Sequence, residues 1–172
     1  MDEAAATSPD VGAADRAEML ALAAQFWLTA GEGAQAEASA DAALTLAPGH
    51  DAAHRVRGVV RLATERYAAA ADDLSVALRG APDDPLLWTA RARARAGMFD
   101  PAGAAEDARH ALTLAPDLAE ALLQKGLAEV ALRDAPAARD SLMAAIRADG
   151  PPPGGDVAVR ARAAIQRMAL GE

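Results

Sequence analysis

The chain contains no cysteine, a single lysine (Lys125) and only 3% aromatic side chains. Without cysteine there is no disulfide framework, no thiolate nucleophile and no thiol for a lipid anchor. No apolar run approaches the ~20 residues of a membrane-spanning helix. The opening "MDEAAATSPDVG" lacks the basic start and apolar stretch of a secretory signal. These absences point to a soluble cytoplasmic protein, the alternative being a soluble fragment of a membrane-anchored or periplasmic one. Positive charge is also short, with 17 basic against 25 acidic residues and a net charge of −8. Nucleic-acid binding needs concentrated cations to displace counterions, so nucleic acid is not expected as a partner.

Catalytic patterns are missing too. There is no glycine-rich phosphate loop and no Ser–His–Asp arrangement in a credible setting. The pairs Asp72–Asp73 and Asp83–Asp84 read as a helix flank and a turn rather than a carboxylate pair in a cleft. His50 and His54, four apart in "HDAAH", could share a helix face. The third histidine, His110, has no reason to converge on them, and catalytic zinc needs three ligands and a base. Hence no enzyme, cofactor or metal is expected.

What the chain does have is alanine, about 30% of residues, which is helical composition because alanine loses no side-chain entropy on entering a helix. Together with sixteen arginines to one lysine, this also reflects GC-rich coding, in keeping with a bacterial source. The hexapeptide "ALTLAP" occurs at 43–48 and again at 111–116, with "ALRGAP" midway at 77–82. Pro48, Pro82 and Pro116 keep the same step of 34 residues, as do Ala36, Ala70, Ala104 and Ala138. A fixed period of this length is the mark of a repeat architecture. Each unit reads as helix, short turn, helix, with turns at "GEG" (31–33), "ERY" (65–67), "FDP" (99–101) and "RDAP" (133–136). Asp84 before Pro85, and Asp134 with Pro136 behind it, are N-cap signals. The expected division is a disordered tail (1–16), four repeats (17–50, 51–84, 85–118 and 119–150), a linker (151–156) and a capping helix (157–170), nine helices in all.

The residue types at fixed offsets resemble the tetratricopeptide repeat: Trp88, Ala92, Ala104, Ala108, Ala111 and Pro116 in the third unit, with His54, Gly58, Tyr67, Ala70, Ala77 and Pro82 in the second. The resemblance extends to Leu20, Ala24, Trp27 and Pro48 in the first unit and to Leu122, Gly126, Ala138 and Ala145 in the fourth. It implies an all-α, right-handed α-solenoid whose first helices line a concave groove. The small residues would mark where the two helices of a unit cross. By the family's recurrent contact positions, the groove would be lined by Ala21, Gln25 and Leu28; Arg55, Val59 and Leu62; Leu86, Thr89, Arg93 and Ala96; and Leu123, Leu127 and Val130. The five positions of the family's carboxylate clamp hold Arg55, Val59, Ala90, Glu120 and Gln124 here, and only Arg55 suits that role.

The implied function is a non-enzymatic adapter or scaffold that binds a peptide or protein partner in the groove. The alternatives are a dedicated chaperone for a secretion-system or pilus subunit and a self-assembling structural module. One departure from the family is periodic. Arg57, Arg91 and Lys125 stand where leucine is usual, and Asp72, Glu106 and Asp140 follow the same step in the second helices. Their register predicts a ladder of ion pairs, Arg57–Asp72, Arg91–Glu106 and Lys125–Asp140. In "RARARA" (91–96), Arg91 and Arg95 share a helix face while Arg93 points elsewhere, toward the groove.

Overall fold

The computed structural model describes residues 12–150 and 155–171, and these form nine α-helices. Four hairpins follow one another: α1 (Ala13–Thr29) with α2 (Gly33–Leu46), α3 (Asp51–Ala63) with α4 (Tyr67–Gly80), α5 (Pro85–Gly97) with α6 (Pro101–Leu114), and α7 (Ala119–Ala131) with α8 (Ala135–Ala148). A last helix, α9 (Asp156–Leu170), closes the stack. No described helix is long and apolar enough to cross a membrane. The first helix begins at Ala13, one turn ahead of the expected boundary, after Gly12 in an extended conformation. The remainder of the expected tail and most of the linker lie outside the described residues.

The turns repeat as faithfully as the sequence. Within each hairpin one residue takes positive φ: Gly31 (80°), Glu65 (58°), Phe99 (61°) and Arg133 (65°). The next residue's N–H then reaches back to close the helix end, as from Glu32 to the Trp27 carbonyl at 2.9 Å and from Asp100 to that of Arg95 at 2.9 Å. Asp84, Asp100 and Asp134 cap the helices that follow, accepting from the N–H groups of Leu86, Gly103 and Ala137. Between hairpins, the residue before each proline is extended, as proline requires of its predecessor. The freed carbonyls of Pro48 and Pro82 meet donors at equivalent positions, His54 Nε2 at 2.8 Å and Trp88 Nε1 at 2.7 Å.

Packing depends on small side chains. Ala24, Ala92, Ala36, Ala70, Ala104 and Ala138 are wholly buried. At Gly58 and Gly126 the partner helix comes so close that a Cβ would lie 3.0 Å and 2.7 Å from the Cγ of Leu74 and Leu142. Consecutive first helices touch one another, α1 with α3 and so on to α9, whereas consecutive second helices do not. The stack therefore curves toward its first helices, which line the concave side.

Charged rungs cross this thin core. Arg57 donates to both oxygens of Asp73, at 3.0 and 2.8 Å, and Arg61 adds a third bond at 2.8 Å. One repeat on, Arg91 grips Asp107 with two 2.8 Å bonds and Arg95 joins at 3.0 Å. In the fourth repeat Lys125 donates to the Ser141 hydroxyl at 3.1 Å and pairs with Glu129 at 3.4 Å. Two of the three expected ion pairs exist, each with a partner one residue beyond the one expected; in the fourth repeat that place holds the neutral Ser141, and Lys125 pairs within α7 in place of Asp140. Asp72, Glu106 and Asp140 are exposed, because the buried stripe of each second helix runs through Ala70, Asp73, Leu74 and Ala77 or its equivalent. Spacing of three, four and seven puts the later residue of each polar pair on the inner face.

The same cations tie neighbouring repeats. Arg57 also reaches Asp41 in α2 at 2.7 Å, and Arg91 reaches Ser75 in α4 at 3.2 Å while lying 4.7 Å from the centre of the Trp88 ring. Glu37 in α2 receives Arg61 and Arg66, and its carboxyl is held below the usual range chiefly by the Arg66 hydrogen bonds. At Asp73 burial pushes the carboxyl up. Hydrogen bonds from Arg57 and His54, with the charges of Arg57 and Arg61, outweigh it and hold the group below its ordinary value.

Three outcomes follow from this packing. Gly126→Ala should destabilise by about 1–2 kcal/mol despite alanine's better helix propensity, because Leu142 must move; urea denaturation reads this. Arg91→Met leaves Asp107 with Arg95 alone and should cost about 3 kcal/mol, ~10 °C in melting temperature, with Arg91→Met/Asp107→Leu recovering most of it. Because the Asp73 carboxyl is depressed in the folded state, its contribution is present above the ordinary carboxylate range and disappears as pH falls through the folded-state value. Melting temperature against pH should therefore drop below about pH 4, and Asp73→Asn should flatten that limb.

Candidate functional site

The residues expected to line the groove separate into three groups. Leu62, Leu86, Thr89 and Arg93 come together in one hollow of about 380 Å³ on the concave side. Leu62 and Thr89 are its buried floor, and the Thr89 hydroxyl is turned inward to the Pro85 carbonyl at 2.7 Å. Leu86 stands 63% exposed at the rim. Arg93 is exposed and makes no ion pair among the described residues, whereas Arg91 and Arg95 on the opposite face are committed to Asp107. The hollow thus offers an accessible leucine beside an available guanidinium.

A second group lines the hairpin-turn end of the repeat junctions. Leu28 borders a notch of about 410 Å³ with Val60, and Ala96 and Leu127 border one of about 270 Å³ with Phe99 and Pro101. Val130 borders a third with Met168. At the remaining junction the corresponding place is taken by Tyr67, whose ring lies directly against Gly97. The third group packs inward. Ala21 is buried between α1 and its neighbours, and Leu123 is buried in the cluster that α9 completes with Ala161, Ala164, Ile165 and Met168. Leu127 and Val130 pack against that cluster too, so the last repeat contributes to the core where open groove was expected. Val59 is half-buried, and Arg55 is exposed but bonded to the Gln25 carbonyl oxygen at 2.9 Å.

The sequence reading missed the far wall of the hollow. Ala90, Glu120, Asp156 and Arg160 also line it. Arg160 of α9 crosses to Glu120 of α7 at 3.1 Å and to Asp156 at 3.2 Å. Glu120 in turn accepts from Gln124 at 2.6 Å, which removes both residues from any clamp-like role. Asp156 and Arg160 are four apart, a helical pairing visible in sequence. Their meeting with Glu120 was not, because the segment at 149–156 breaks the step of 34.

The histidines do not converge. His50 faces Glu18 at 2.9 Å, while His54 is buried with its ring nitrogens against Asp73 and Pro48. His110 lies against Trp88, ring centres 4.0 Å apart and planes tilted by 48°. Among the described residues no group of His, Asp and Glu side chains is placed to hold a metal ion.

An α-solenoid of antiparallel helix pairs, 34 residues to the unit, with an inner face of first helices defines a class of stacked-repeat proteins. The chain has the fold of the tetratricopeptide-repeat solenoids, and solved structures of that kind share it. MamA from Desulfovibrio magneticus RS-1 matches with a TM-score of 0.70 and 22% identity, over 77% of this chain and 75% of that one. The Sgt2 tetratricopeptide-repeat domain from Aspergillus fumigatus matches with a TM-score of 0.62 and 28% identity, over 70% and 79%. YrrB, described as a tetratricopeptide-repeat protein with an unusual peptide-binding site, matches with a TM-score of 0.64 and 24% identity, over 73% and 65%. No family model matches the sequence, and neither does any curated protein.

Proposed function

We propose that the protein is a non-enzymatic adapter that holds a peptide or protein partner on its concave face, centred on the hollow between α3, α5, α7 and α9. The observation that carries this is the exposed Leu86 next to the uncommitted Arg93, above a floor of Leu62, Thr89 and Ala90. Such a surface fits an apolar anchor followed by an acidic group. The description of YrrB as peptide-binding supports the same use of this fold. The rung cations are occupied within the protein and the exposed Arg55 is hydrogen-bonded to Gln25, so recognition of the acid centres on Arg93. The Glu120–Arg160 bridge sets one wall of the hollow and favours a partner without a second strong charge there.

The test is affinity capture from the native host with wild type beside Arg93→Glu/Leu86→Asp. Both side chains are exposed, so the variant should keep its melting temperature; Leu127 is a poorer probe because it packs against the α9 cluster. A partner held by wild type and reduced at least tenfold by the variant, about 1.4 kcal/mol or more, places recognition in the hollow. Unchanged capture would move function to the convex face or the notches.

A further inference from the structure

The first helix presents an apolar stripe to solvent. Met19, Leu22 and Phe26 are 55%, 61% and 63% exposed, spaced three and four apart along α1. The same positions in α3 and α7 are shut inside junctions. Ala53, Val56 and Val60 in α3 are at most 5% exposed, and Ala121, Gln124 and Ala128 in α7 at most 3%. The first helix thus has the contact face of an internal repeat with nothing described against it.

Side-chain size argues against another unit of the same kind. Internal junctions use mostly alanine and valine here, which lets helices approach closely, whereas methionine, leucine and phenylalanine need a wider separation. Spacing of four, three and four through Asp15, Met19, Leu22 and Phe26 is that of a helix seam. Phe26 is braced edge-on by Trp27, ring centres 5.2 Å apart, so little freedom is lost when it is covered.

We propose that this stripe is a homodimer interface in which α1 pairs antiparallel with α1 of a second copy. Charge placement selects the orientation. Asp15, Arg16 and Glu18 all lie in the first half of α1, while Gln25 to Ala30 carry no charge. Antiparallel pairing sets each charged half over the other copy's uncharged half, with Met19 facing Phe26 and Leu22 near the two-fold axis. Parallel pairing would set Asp15 and Glu18 beside their own copies, and the helix dipoles side by side. The contact is self-complementary and closed, so it stops at two chains. It lies apart from the hollow and does not depend on groove binding.

Sedimentation equilibrium from about 1 µM to about 300 µM, the range in which a small interface associates, reads the proposal directly. Wild type should rise from one chain mass to two, and Leu22→Glu/Phe26→Gln should stay at one with helicity and melting temperature unchanged. Because the chain has no cysteine, single substitutions report geometry: Leu22→Cys should cross-link on oxidation and Phe26→Cys should not. A single chain mass at all concentrations, a dimer that survives the double substitution, or mass growing past two chains would each overturn the proposal. Equal cross-linking at both sites would overturn the antiparallel arrangement. A truncation starting at Gly12 that dimerises when the full chain does not would assign the stripe to the chain's own first residues instead.

Discussion

Close approach of helices, made possible by a small residue at each crossing, is the constraint on which the rest of the structure depends. At Gly58 and Gly126 the two helices of a hairpin come near enough for Leu74 and Leu142 to touch the opposing backbone, and Ala24 and Ala92 at the equivalent positions are wholly buried. A core built this way is thin and contains little large apolar bulk. Asp107 is among its largest fully buried side chains. Apolar burial at about 25 cal/mol per Å² therefore rests on many small contributions spread along the stack. Polar groups that enter such a core must arrive with partners, and here they do.

The arginine rungs are a direct result of that thinness. A guanidinium on a long apolar stem can cross a slim interface, pack its methylenes and still meet a carboxylate bidentately. Arg57 and Arg91 each join three helices, binding the second helix of their own repeat and the second helix of the one before. Arg93 stands apart on the groove side because its helical phase turns it away from Asp107. Position on the helix, rather than residue type, separates the exposed Arg93 from the structural cations.

Much of this was legible in the sequence because the period of 34 fixed both the helices and their caps. Asp84 and Asp134 cap as their position before proline suggests, and Asp100 does likewise in "FDP". Two rungs of the ladder were legible to within one residue. Its cations lay where expected, but in "DD", "ED" and "DS" the second member faces inward, a choice set by the alanine stripe at Ala70, Ala104 and Ala138. The alanines alone would have resolved it. What periodicity could not supply was anything involving α9, since the residues before it interrupt the step. The burial of Leu123 and the Arg160–Glu120 wall both come from that helix.

The rungs differ from one another in composition: two arginines and an aspartate, the same with a tryptophan over the cation, then lysine, glutamate and serine. Repeat arrays are prone to misassembly because one unit resembles the next. In this chain, a hairpin formed by α5 with α8 would bring Arg91 and Arg95 to Ser141, with no carboxylate between them. One formed by α7 with α4 would press Glu129 toward Asp73. Charge thus sets the fourth hairpin apart from the two before it, which carry the same rung of two arginines and an aspartate.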